Sequence, residues 1–106
     1  MVKIIFILQR RPDQTREQCQ AYWRGDTHRA VVGRIPSLRK CVQNHVVGGP
    51  GEAACDGVGE MWFDSDAAMN KALSSAEMSS AVEDAKNFLD MQGTSVFVVP
   101  EQTMIG

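Results

Sequence analysis

The chain has 106 residues, 43% of them hydrophobic and 23% charged, with a formal net charge of −2. That length suits one domain, residues 1–106, with an adequate core. The mixed acids and bases, with one short basic pair near the start at Arg10–Arg11, argue against nucleic acid or an anionic membrane as the main partner.

No apolar run approaches the ~20 residues that span a bilayer. The stretch Ile4 to Leu8 runs directly into Gln9-Arg10-Arg11 with no small-residue cleavage pattern, so it does not read as a signal peptide. Cys19, Cys41 and Cys55 are odd in number and lack CxxC or Cys/His spacing. That is the cysteine usage of a reducing compartment, with no disulfide framework and no metal site. The expected location is the cytoplasm, and the three cysteines are expected to be small core residues.

In chain order the segments read β-α-β-β-α-β. Val2 to Leu8 is a strand apolar on both faces, broken by Pro12 and Asp13. Thr15 with Gln18 forms a capping box for a helix whose apolar stripe is Cys19, Tyr22 and Trp23. Gly25 predicts a kink, Asp26-Thr27 a new cap, and Gly33 with Pro36 the end.

Leu38 to Val47 is a second strand, with Cys41, Gln43 and His45 on one side and Lys40, Val42 and Asn44 on the other. Gly48-Gly49-Pro50-Gly51 is a connection to a third strand, Cys55 to Phe63, hairpin-paired with the second. Asp64 or Ser65 caps the next helix, and Ser74 with Glu77 caps its continuation. Met69, Leu73, Met78, Val82, Ala85 and Leu89 give that helix its apolar spacing, and Gly93 ends it. Ser95 to Val99 is the last strand, nearly all apolar.

Two strand–helix–strand units sharing one antiparallel sheet make an α+β, ferredoxin-like domain with its helices on one face. The first and fourth strands are apolar on both sides, so the helix-free face needs a cover. A second copy stacking its own open face supplies one, which predicts a homodimer.

The run Tyr22-Trp23-Arg24, then His28, Ile35-Pro36-Ser37-Leu38-Arg39 and Val42-Gln43-Asn44-His45, resembles the EthD family. Gly59 to Ser65 and Asn87-Phe88 extend the resemblance over nearly the whole chain. The family pattern commonly has proline two residues after the histidine, where this chain has Ala30. The resemblance implies a dimeric α+β barrel. Relatives include methylmuconolactone methylisomerase and dehydratases or cyclases of aromatic polyketide pathways. Other families sharing the barrel are cofactor-free monooxygenases and haem-degrading enzymes.

His28 is the first candidate for catalysis. It follows the expected kink, where a side chain can point between helix and sheet, and imidazole is suited to moving protons near neutral pH. Its alternative role is to bond a free carbonyl at a helix terminus. His45, on the same side as Gln43, is the second candidate, with a neighbour-satisfied sheet histidine as its alternative. Tyr22, Trp23, Gln43 and Trp62 are the candidate substrate-binding residues, with Tyr22 able to orient a carbonyl through its hydroxyl. Trp23 and Trp62 are equally readable as packing. Glu60 and Asp56 are possible acid–base partners, although Asp56 precedes a glycine and reads as a turn residue.

The expected activity is that of a cofactor-independent enzyme, with no bound cofactor or metal, on a small, mostly apolar, oxygenated ring compound. Isomerisation, dehydration or cyclisation by His28, helped by His45, fits this. A second expectation is oxygen-dependent oxidation without a bound cofactor, or with haem held by His28 or His45. A third is a non-catalytic ligand-binding accessory module, which low polarity in the pocket and the absence of a close His–acid contact would favour.

Overall fold

The computed structural model describes residues 1–49 and 55–106. Its elements are β1 (Val2–Leu8), α1 (Arg16–Trp23), α2 (Asp26–Val32), β2 (Lys40–His45), β3 (Gly57–Phe63), α3 (Asp66–Leu73), α4 (Ala76–Ala85) and β4 (Ser95–Pro100). The strands form one sheet in the order β2-β3-β1-β4, every neighbouring pair antiparallel. This is the ferredoxin-like α+β arrangement expected. Part of the expected glycine-rich connection, Pro50 and Gly51, lies outside the described residues.

Strand alternation decides what lies under the helices. Val2, Ile4 and Leu8 of β1 are buried, and across the β1–β3 register so are Phe63, Met61 and Gly57. Ile4 and Phe63 are completely hidden, in one core cluster with Met69, Ala72, Met78 and Ala81. A second cluster gathers Leu8, Cys19, Trp23, Ala85, Phe88 and Leu89. Phe6 packs against both. Truncating a buried phenylalanine such as Phe63 or Phe88 to alanine costs about 3–5 kcal/mol.

The helix starts follow local chemistry. Thr15 and Gln18 form the reciprocal capping box expected. The chain breaks at Gly25, as the sequence predicts, but Gly25 itself is the N-cap of α2 and no side chain caps that helix. Ser65 caps α3 through Ala68 N. The second cap is Ser75, accepting from Met78 N, and not Ser74, which closes α3.

Two further expectations need correction. Leu73 and Val82 are 42% and 41% exposed, so neither joins the core. The last helix ends at Ala85, well before Gly93. There the chain tightens into three-residue turns (Asn87 N to Asp84 O, Phe88 N to Ala85 O) and is captured by the segment after β1. Arg11 N bonds Phe88 O at 3.1 Å and Asp90 N bonds Gln9 O at 2.9 Å. Backbone pairing with that segment outcompetes another helical turn.

Asp56 is a structural anchor. Its buried carboxylate accepts from Arg10 N at 2.8 Å, from the Arg10 guanidinium at 2.6 Å and from Arg16 Nε at 3.0 Å. Its own N–H donates to Leu8 O at 2.8 Å. One side chain thereby ties the end of β1 and the first turn of α1 to the entry of β3.

Candidate functional site

Between the sheet and the helix layer, near where the two core clusters meet at Phe6, lies a cavity of about 510 Å3. Phe6, Gly59 and Met61 border it from the sheet, and Val82 and Phe88 from the last helix and the turn that follows. Against these apolar surfaces stand a few polar side chains: His28, Gln43, Thr94, Arg24 and Arg29. Glu60 also borders it, but its carboxylate is held by Lys3 Nζ at 2.9 Å and Asn44 Nδ2 at 3.0 Å.

His28 sits on α2 and is 7% exposed. Its Nδ1 lies 2.9 Å from Asp84 Oδ2 on α4. The other Asp84 oxygen accepts from the Tyr22 hydroxyl at 2.7 Å and from Asn87 Nδ2 at 3.4 Å. Burial works to raise the Asp84 carboxyl, but the hydrogen bonds from Tyr22 and His28 outweigh it and hold it below the ordinary carboxylate value. An ionised Asp84 accepts Nδ1–H, which leaves Nε2 as the unprotonated nitrogen of the neutral ring. The hydrogen bond to Asp84 raises the Tyr22 hydroxyl, so Tyr22 remains a neutral donor.

Phe88 fixes the rings. Tyr22 stacks on it with centroids 5.2 Å apart, and His28 meets it edge-on at 5.0 Å. Three helical segments and the post-α4 turn therefore converge on one imidazole. A neutral imidazole with a free Nε2 and a carboxylate behind Nδ1 has the chemistry of a general base: such a ring can take a proton from a C–H or O–H acid, and the carboxylate can stabilise the imidazolium.

The other candidates separate cleanly. Trp23 and Gln43 border the cavity with His28. Tyr22 is not among the residues that border the cavity; its hydroxyl donates to Asp84, which also holds His28. His45 does not border the cavity: its ring packs on Trp23 at 4.6 Å, and Nε2–H donates to Gln43 Oε1 at 2.9 Å. Gln43 Nε2 in turn donates to Trp23 O at 2.8 Å, so His45 sets the orientation of an amide at the cavity wall. Burial, with help from the Arg24 charge, lowers His45 and favours its neutral form.

Trp62 stands on the opposite face of the sheet, because Met61 and Phe63 on either side of it point to the helices. Its Nε1 donates to Glu101 at 2.8 Å, and the Lys3 and Lys40 ammonium groups lie over its ring at 5.1 and 4.8 Å. Asp56 and Glu60 are each held by cations and do not form an acid–base pair. Of the cysteines only Cys19 is buried, and that burial pushes its thiol up to about 11. Cys41 is exposed and Cys55 half-buried, contrary to a core role.

Among the described residues no group of three or more His, Cys, Asp or Glu side chains could hold a metal ion. His28 is the single imidazole at the cavity wall.

Asp84 is not marked by the sequence as a partner of His28. Between Glu83 and Ala85 it looks like a solvated helix acid. The signal that could have marked it is its position four residues before Phe88 and three before Asn87, the pair already carrying a family resemblance.

The fold is an α+β domain with a mostly apolar cavity between sheet and helices and a His28–Asp84 contact in its wall. A family model, EthD domain, matches residues 11–92, and the chain belongs to the EthD family. It is similar to an ethyl tert-butyl ether D (EthD) family protein from Bacillus halodurans C-125, at 25% identity and a TM-score of 0.79, covering 96% of this chain and 99% of that one. A dimeric protein of unknown function and ferredoxin-like fold from Bacteroides fragilis matches at 17% identity and TM-score 0.66, covering 92% and 93%. SnoaB, a cofactor-independent oxygenase from Streptomyces nogalater, matches at 10% identity and TM-score 0.64, covering 97% and 95%. No curated protein matches the chain.

Proposed function

We propose that this protein is a cofactor-independent acid–base enzyme acting on a small, mostly apolar, oxygenated ring compound. His28 Nε2 abstracts and returns a proton in an isomerisation, dehydration or cyclisation. The carrying observation is the 2.9 Å contact between His28 Nδ1 and Asp84 in the wall of an apolar cavity. That contact also speaks against a purely accessory ligand-binding module, for which a bare histidine would suffice. His45 acts indirectly, by holding Gln43.

The test uses proton transfer itself. Ring C–H acids such as 2-tetralone and α-angelica lactone are incubated with the protein in D2O, and deuterium incorporation is followed by NMR. The wild-type protein accelerates exchange, and His28→Ala loses roughly 10²-fold or more of that acceleration. Equal rates in the variant overturn the assignment.

A second reading is oxidation by O2 without a bound cofactor, which the description of SnoaB suggests. Its first step is the same: His28 deprotonates the ring substrate; the carbanion then transfers electrons to O2 and bonds it, the peroxide takes back the proton from His28, and the hydroperoxide loses water to leave a ring carbonyl. Oxygen consumption during turnover separates the two.

The working unit is a homodimer in this reading. Ile5, Ile7 and Val58 are only half-buried on the helix-free face, and Phe97 beside them is 54% exposed. Stacking two such faces hides them, and structural relatives are described as dimeric.

A further inference from the structure

We infer that the cavity selects ring compounds bearing an ionised carboxylate, which Arg24 and Arg29 hold beside His28; this rests on the cavity being a small-molecule site.

Six of the eleven lysines and arginines lie within ion-pair distance of a side-chain carboxylate: Lys3, Arg10, Arg11, Arg16, Arg39 and Lys86. Arg24 and Arg29, which both border the cavity, have no such partner among the described residues. The site offers them none. The Glu60 carboxylate is taken by Lys3 and Asn44, and Asp84 is taken by Tyr22 and His28. Both arginines are exposed residues at the edge of the cavity, with no carboxylate of the described residues paired to either, and the Arg24 charge reaches His45, which it helps to keep neutral.

A guanidinium matches a carboxylate with two parallel N–H···O bonds. Next to an apolar wall such a pair is stronger than in open water. Arg24 and His28 are four residues apart across the α1–α2 break, and Arg29 is adjacent to His28. A carboxylate held there fixes one end of the ring and leaves a C–H bond to face the imidazole. The apolar cavity walls accept the ring body.

The experiment is calorimetric titration of the full chain with 2-naphthoate and with neutral 2-naphthamide, which differ at one group. Naphthoate binds at least about tenfold tighter at low salt, and the preference shrinks in 0.5 M NaCl. Arg24→Gln and Arg29→Gln each reduce the preference, the double variant abolishes it, and naphthamide affinity stays the same. Lysine at either position restores part of it. Equal binding of the two probes, binding of neither, or a preference that survives in the double variant overturns the inference. His28→Ala is titrated in parallel and retains the preference, which makes the result independent of whether His28 is catalytic. A preference lost in His28→Ala but kept in the arginine variants also overturns it.

Discussion

His28 Nδ1 and Asp84 Oδ2 lie 2.9 Å apart, although 56 residues separate them in the chain. The contact crosses from α2 to α4 and joins the two halves of the fold at the cavity wall. Asp84→Asn keeps the volume but replaces an acceptor oxygen with an amide and removes the charge that stabilises an imidazolium. Proton-transfer turnover falls by roughly 10²-fold or more, mainly in kcat. Tyr22→Phe keeps the stack on Phe88 and removes one hydrogen bond to Asp84, for a loss below about tenfold. Deuterium exchange into 2-tetralone reads both.

Trp23 needs the glycines beneath it. A Cβ on Gly57 would meet Trp23 Cζ3 at 2.5 Å, and one on Gly59 would meet Cζ2 at 3.3 Å. Gly57→Ala therefore forces the indole off its seat and costs about 1–3 kcal/mol, seen as a lower midpoint in urea. Gly59→Ala costs less. The Trp23–His45 stack and the Gln43 amide move with the indole, so Gly57→Ala also weakens naphthoate binding.

Asp56→Ala removes the acceptor for Arg10 and Arg16 at a side chain only 2% exposed. The expected loss is about 2–3 kcal/mol, measured by thermal unfolding. The pH dependence follows from the same groups. Burial pushes Asp56 up, but the Arg10 N–H and the Arg16 and Arg10 guanidinium groups hold it below its ordinary 3.8. The unfolded chain then binds the proton more readily, so this stabilisation is complete above about pH 4 and is lost as pH falls through the folded value. His45, held below its ordinary 6.5 by burial and by Arg24, adds an earlier loss as pH drops below about 6.5. Midpoints recorded from pH 8 to pH 3 show both declines, and His45→Gln flattens the first alone.

Phe97 tests the oligomer. It pairs with Ile5 in the middle of the β1–β4 ladder, on the face away from the helices. Phe97→Asp places a charge where two copies would meet, and sedimentation equilibrium should show a shift from dimer to monomer with the fold intact by circular dichroism. An unchanged dimer would place the interface elsewhere.

The strands, the Thr15–Gln18 capping box and the break at Gly25 are readable in the chain because each depends on neighbours a few residues away. The facing of Cys41, Gln43 and His45 is readable because a strand alternates. The contact between His28 and Asp84 is not, because a carboxylate on a helix is sorted from solvent-facing acids only by what packs against it. The same holds for Asp56, which resembles a turn residue until Arg10 and Arg16 are seen around it. For His45 the strand alternation gives the facing but not the contact: its ring packs on Trp23, which borders the cavity, while His45 does not. The early end of α4 depends on backbone bonds to Gln9 and Arg11, which no local pattern announces.

Long-range 1H–15N NMR of the neutral His28 ring reads its tautomer. The expected result is a proton on Nδ1, an unprotonated Nε2, and an Nε2 resonance that shifts when 2-naphthoate enters the cavity. A proton on Nε2, or a His28 ring indifferent to the bound probe, would contradict a proton-transfer role for His28.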